Sequence, residues 1–284
     1  MVTLHPEESE VLKFFESLRL TVQVPPLGFS KTPDFLVDGD GRGYVVEVKA
    51  RRDSEEWRRA LRRGKVAYQE RSMGYGPWTE DVARDAVNQL RSIDSQHRRW
   101  WILWLAVRCK AGPEAMFDEA VGSLFGVRQV AHYDAGDQRD TTRDCLFARR
   151  GVFERHCELV ASVVATSSGF GFCVNELATD YRSFQSSAMY LRFASIHPPT
   201  SATDLTNNRG FFQISDFSVD RRDGHAVASY LEHAYGLPNA FMLDMKLHSA
   251  SMLVPRRGAT VTANNREQAP NEGTLPAAQK PGGR

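Results

Sequence analysis

The sequence predicts an α/β protein whose first half runs helix, three strands, helix, strand, forming a mixed sheet flanked by helices, with an α/β extension after it. Three observations lead there. Phe35-Leu-Val37 and Tyr44 to Ala50 are β-branched runs on either side of Asp38-Gly-Asp-Gly-Arg-Gly43, a loop built from the residues that tight hairpin turns favour. Arg99 to Val107 (Arg-Trp-Trp-Ile-Leu-Trp-Leu-Ala-Val) is almost continuously apolar, the mark of a central strand buried on both faces. Between these runs, Val82, Ala83, Ala86, Val87, Leu90 and Ile93 recur at helical spacing.

The elements follow in order. In the first helix Pro6 suits the first position, Glu7 and Glu8 complement the positive end of the dipole, and Val11, Phe14, Phe15 and Leu18 make one apolar stripe. Leu20 to Val24 alternates as a short strand and stops at Pro25-Pro26. The hairpin strands come next, and then a charged stretch, Arg51 to Arg63, helical or looped. Gly74-Tyr-Gly-Pro77 breaks the chain before the second main helix, for which Thr79 is the expected N-cap. Beyond the central strand, Pro113 to Phe125 reads as a helix and Val127 to Tyr133 as a strand. Leu159 to Thr166 and Gly171 to Val174 read as strands, and Asp223 to Tyr235 as a helix. We therefore expect a core over residues 1–135 and an α/β extension over 136–254 whose role is unreadable. Residues 255–284 hold no aromatic side chain and few aliphatic ones, too little apolar surface to offset the entropy of ordering, so a disordered tail is expected.

Composition narrows the class. With 284 residues, 42% hydrophobic and 25% charged, and 36 basic against 35 acidic side chains, the chain is neither collagen-like, nor coiled coil, nor wholly disordered. No apolar run approaches the roughly 20 residues that span a bilayer, so no membrane partner is expected. The first residues lack the basic and apolar regions of a secretory signal. Cys109, Cys145, Cys157 and Cys173 stand far apart without a C-x-x-C pair, which fits free thiols in a reducing compartment and a cytoplasmic protein. Phosphate-binding loops, zinc-finger spacings and nucleophile elbows are missing from the sequence.

The chemistry concentrates in Thr32 to Arg52. Alternate strand residues share a face, so Val45, Glu47 and Lys49 point one way. If the hairpin closes symmetrically, with Asp38 opposite Gly43, then Asp34 falls opposite Glu47. Two carboxylates facing each other at about 5 Å between Cβ atoms repel and destabilise a hairpin. A divalent cation between them removes that cost, and hard oxygen ligands suit Mg²⁺ or Mn²⁺. Such a cation lowers the pKa of bound water and stabilises charge on phosphorus, with Lys49 beside it to orient the nucleophile or neutralise the phosphate. From Arg42 to Lys65 nine basic residues face four acidic ones, a local +5 that suits backbone phosphates. Trp57, Tyr68 and Trp78 lie nearby, where core packing or base stacking are both open.

Pro33-Asp34 and, thirteen positions on, Glu47-Val48-Lys49 resemble the signature of the PD-(D/E)XK, or restriction-endonuclease-like, nuclease superfamily, over roughly residues 4–110. That family shares the α-β-β-β-α-β core. The resemblance implies that Asp34 and Glu47 are metal ligands, that the Val48 carbonyl also touches the metal, and that Lys49 is the catalytic lysine. It adds an acid from the first helix, for which Glu8 has Val11 and Phe15 at the right spacing, with Glu7 and Glu10 as competitors. Gln89 fits a glutamine that some branches place on the helix after the third strand, although Ile93 stands where tyrosine is common. The nucleic-acid-binding set is then Arg51, Arg52, Arg58, Arg59, Arg62 and Gln89. The expected activity is a Mg²⁺-dependent hydrolysis of phosphodiester bonds in DNA by an endonuclease, acting as a homodimer or with a partner protein. The second reading is a non-catalytic nucleic-acid-binding or assembly subunit with the same fold.

Overall fold

The computed structural model describes residues 4–251 except 26–31, 40, 64–66, 73–75, 110–112, 135–138 and 244–245. The expected tail at 255–284 lies outside the described residues. The first half runs α1 (Pro6–Ser17), β1 (Thr21–Gln23), β2 (Phe35–Asp38), β3 (Tyr44–Arg52), α2 (Glu55–Arg62), β4 (Ala67–Ser72), α3 (Pro77–Ile93) and β5 (Trp100–Arg108). The expected helix-and-strand order is present, with α2 and β4 inserted between β3 and α3. After β5 come α4 (Pro113–Phe125), β6 (Arg128–Asp134), β7 (Arg139–Leu146), α5 (Val152–Arg155), β8 (Leu159–Ala165) and β9 (Phe170–Val174). Helices α6 (Tyr181–Gln185), α7 (Ala188–Ile196) and α8 (Ala202–Arg209) precede β10 (Phe212–Gln213), α9 (Gly224–Tyr235), β11 (Phe241–Leu243) and β12 (Lys246–Ser251).

The main sheet has the order β1-β2-β3-β5-β8-β9. β1, β2 and β3 form an antiparallel meander, β5 and β8 continue parallel to β3, and β9 closes the sheet antiparallel. The hairpin register pairs Phe35 with Val46, Leu36 with Val45 and Val37 with Tyr44, the symmetric closure expected from the loop. β5 is buried along almost its whole length because strands cover both its edges and helices both its faces.

Alternation along β3 and β5 sorts the core into two halves. Tyr44, Val46, Ile102 and Trp104 pack with Val11 and Phe15 of α1 and with Phe184 and Phe193 near α6 and α7. Val45, Trp101, Leu103 and Leu105 pack with Ala83, Val87 and Leu90 of α3 and Met116 and Leu124 of α4. The second half of the core continues into a four-stranded sheet, β10-β7-β6-β11, through Val130, Cys145 and Phe212.

Two expectations are corrected. The boundary at residue 135 falls between β6 and β7, which pair along their lengths, while β8 and β9 belong to the main sheet. Elements β7 to β11 are therefore shared between the two sheets, because β5 needs a buried neighbour on its second edge and, among the described residues, β8 supplies it. The N-cap of α3 is Gly76, since Pro77 presets the helical φ and starts the helix earlier; Thr79 is buried inside it. Among the described residues no helix is long and apolar enough to cross a membrane. The four cysteines are free, as expected.

A buried hydrogen bond ties β3 to α7 within the first half of the core. The Met189 amide, in the first turn of α7 where N–H groups have no helical acceptor, donates to the hydroxyl of fully buried Tyr44 (3.1 Å). Tyr44→Phe strands that amide and is expected to lower stability by about 1–3 kcal/mol. Urea titration should show a lower midpoint with an unchanged slope; a wild-type midpoint would mean that the amide has another acceptor.

Candidate active site

The site is built on β3 where its α3-facing side leaves the core. Val45 is fully buried, Glu47 is 1% exposed, and Lys49 reaches solvent with about a quarter of its side chain. Parallel pairing sets Glu47 beside Leu103 and Lys49 beside Leu105, so both side chains rise from an apolar floor. Asp34 stands just before β2, where regular ladder pairing has ended. Its Oδ2 accepts the Val48 amide (2.6 Å), so the carboxylate replaces a strand partner and is pinned to β3. Gln89, on α3, holds the approach to it: its Nε2 donates to the Thr32 carbonyl (2.5 Å), one residue ahead of buried Pro33.

Electrostatics mark Glu47 out. Its Oε1 accepts from Lys49 Nζ at 2.5 Å, while its Oε2 is buried without a hydrogen-bond partner. Burial above all, and then the negative charge of Asp34, push its carboxyl from 4.5 up to about 7, with Lys49 opposing. Asp34 is also raised, by burial first, against the pull of the Val48 amide; the charge of Glu8 raises it further, and Lys49 and His5 lower it. Asp34, Glu47 and Lys49 therefore form one electrostatic unit, as the strand register predicts.

Three acids of α1 compete for a place beside this unit, and the structure separates them. Glu7 binds Arg52 through Nε and Nη2 at 2.6–2.9 Å. Burial alone raises Glu7, but the Arg52 guanidinium and a backbone hydrogen bond outweigh it and hold the carboxyl below its usual range. Glu10 is paired with Arg108 of β5. Glu8 faces Asp34 closely enough to act on it and accepts the His5 amide (2.7 Å). His5, which reads in the sequence as an isolated surface or core histidine, stands close enough to act on Asp34. The signal for it was present in His5-Pro6 followed by Glu8, the spacing of a helix start whose third residue reaches back to the cap.

The basic residues divide by what they touch. Arg52 ties β3 to α1 through Glu7, and Arg51 lies 5.2 Å over the Trp78 ring, which itself packs on the core. Arg58 and Arg62 share Glu55 at 2.8 and 2.6 Å, and Arg59 is exposed on the same helix. Arg42, counted in the basic segment, is spent on the loop before β5. It donates to the carbonyls of His97 and Arg98, pairs with Asp180 at 2.8 Å and lies over Trp100. Tyr68 is a side chain outside the described residues.

Among the described residues no three His, Cys, Asp or Glu side chains stand together as a metal-holding group. The available oxygen donors are the Asp34 and Glu47 carboxylates, with the Val48 carbonyl on the strand between Glu47 and Lys49. No family model, no curated protein and no solved structure matches this chain.

A raised carboxyl carries a stability signature. Between about pH 4.5 and pH 7 folded Glu47 keeps a proton that the unfolded chain has lost, so folding stability falls as pH rises through that window. Glu47→Gln is expected to flatten this fall and, above the window without divalent metal, to exceed the wild type in stability by up to about 3 kcal/mol. Denaturant titrations of both proteins across the pH range measure it. Equal slopes would mean that Glu47 is ionised in the fold at its ordinary pKa.

Proposed function

We propose that the chain is a metal-dependent nuclease with a restriction-endonuclease-like core, hydrolysing phosphodiester bonds in DNA as an endonuclease. The observation that carries this reading is Glu47: a buried carboxylate, facing a second one, with one oxygen held by Lys49 and the other without a donor. Burying such a pair costs free energy that packing at this position does not return. The residues fit a hard divalent cation, because the uncommitted oxygen and the facing Asp34 oxygens are the donors that Mg²⁺ or Mn²⁺ takes. The antiparallel β1-β2-β3 meander, followed by α3 and a parallel β5, supports the same reading of the fold.

Asp34 and Glu47 would hold the cation, joined by the Val48 carbonyl, with Glu8 beside Asp34 as a further acid. When bound, the cation supplies charge stabilisation at phosphorus and a lowered pKa for water. The chain's own residues do the rest. Lys49 opposes the rise of the Glu47 carboxyl and places a positive charge where the scissile phosphate arrives, which stabilises the negative charge that builds on it. The Val48 amide fixes the direction of the Asp34 carboxylate. Gln89, through Thr32, fixes the backbone from which Asp34 projects. On this reading Gln89 is a positioning residue. Arg51, Arg58, Arg59 and Arg62 line the exit of β3 and α2 and neutralise flanking phosphates, whereas Arg52 serves the fold.

A panel of linear and circular duplex, single strand, branched junction and RNA tests the reading with Mg²⁺, Mn²⁺ or EDTA. Cleavage should require metal, convert circles to nicked or linear forms, and fall at least about a hundred-fold in Lys49→Ala. Divalent metal should also raise the melting temperature of the wild type and leave Asp34→Asn and Glu47→Gln unmoved. Binding without cleavage of any substrate would return the chain to the non-catalytic binding or assembly reading.

The division among the arginines is tested separately. Arg59→Ala should weaken DNA binding for all sequences and reduce the salt slope of log K by about 1, with folding intact. Arg52→Ala should instead lower the melting temperature, because it leaves Glu7 buried without its cation. Reversed effects would exchange the two roles.

A further inference from the structure

A cavity of about 630 Å³ opens between the turn after β7, the short α5, and the segment that joins β10 to α9. Five arginines line it: Arg149, Arg150, Arg155, Arg221 and Arg222, against a single lining carboxylate, Asp220. None of them belongs to the site on β3. Arg221 is the unusual member. It is only 6% exposed, and its Nη1 is paired with Glu154. Its guanidinium lies 4.7 Å over the ring of Phe217, yet Nε and Nη2 are buried without a hydrogen-bond partner. A buried donor left unsatisfied is costly, and here one cation carries two. The neighbouring carboxylates are already engaged. Glu154 holds Arg221 and faces Arg150 at 3.9 Å, and Glu80 holds Arg155 at 2.8 Å. Asp220 accepts the Arg222 amide (3.0 Å), and Asp216 accepts from Ser218 (2.7 Å).

An arginine-rich cavity around a buried guanidinium with two uncommitted donors matches one class of ligand. Phosphate oxygens accept paired N–H bonds from guanidinium forks, and a dianion offsets the positive charge that Glu154, Glu80 and Asp220 leave uncompensated. Phe217 sits at the same cavity and is 47% exposed, an aromatic face next to the anion position. We propose that this cavity binds the phosphate group of a nucleotide, free or at the end of a strand. Arg221 is the anchor, Arg150 and Arg222 are outer ligands, and Phe217 is the stacking surface for the attached base. The site is independent of the nuclease reading, because no residue is shared with β3.

Calorimetric titration of the full chain in metal-free buffer tests it. The probes are inorganic phosphate, a deoxynucleoside 5′-monophosphate, and one oligonucleotide carrying either a 5′-phosphate or a 5′-hydroxyl. Binding of the phosphate-bearing probes is expected, weakened about ten-fold or more by the exposed pair Arg150→Ser with Arg222→Ser. Arg221→Lys, which keeps the pair with Glu154 but removes the fork, should weaken it as well. Phe217→Ala should weaken the monophosphate and spare inorganic phosphate. Preference for the monophosphate over the phosphorylated strand identifies a free nucleotide, and the opposite preference identifies a strand end. The proposal is overturned by phosphate binding no tighter than chloride at equal ionic strength, or by full affinity in the Arg150/Arg222 variant.

Discussion

β3 is paired on both sides, antiparallel to β2 and parallel to β5 over nine residues, and this double pairing decides where every side chain along it must go. Once β5 is buried on both faces, β3 cannot rotate or slip. A shift of one residue would turn Val45 out of the α3 core and Tyr44 out of the α1 core. Glu47 is therefore carried into a buried position by its neighbours. Its free energy is unfavourable there, and the packing of Val45, Val46, Trp101 and Leu103 imposes it.

That imposed burial is what gives the site its chemistry. A carboxyl raised to about 7, a second raised carboxyl opposite, and a lysine in contact with the first do not stabilise a fold. They form a poised arrangement whose strain is relieved by added positive charge. Perturbed groups of this kind gather where proteins bind or react, and the position at the edge of the core leaves Lys49 open to whatever approaches.

The arginines repeat the lesson that charge in a sequence is not charge at a surface. Arg42 and Arg52 sit in the most basic segment of the chain, yet the structure spends both on internal ties, to the loop before β5 and to α1. The cavity formed by Arg149, Arg150, Arg155, Arg221 and Arg222 shows the converse. Two clusters separated by some seventy positions in the chain become one positive concavity because β7 and β10 are parallel neighbours in the second sheet.

The local sequence determined a good deal of this protein. Asp38 to Gly43 specified the hairpin, and with symmetric closure assumed Asp34 could be set opposite Glu47; the register itself is seen in the sheet. The apolar run of β5 announced its double burial, and the helical stripes of α1, α3 and α4 announced their buried faces. These features are encoded by period and turn chemistry within a dozen residues. Tertiary structure decided what depends on partners far away in the chain. It left Glu8 beside Asp34 and gave Glu7 to Arg52 and Glu10 to Arg108. It moved β8 and β9 into the main sheet, since a central strand needs a neighbour on each edge and the sequence does not say which. It gave the Tyr44 hydroxyl to the Met189 amide and gathered the distant arginines into a single cavity. A side chain's period is a local property, whereas its partner is set by packing.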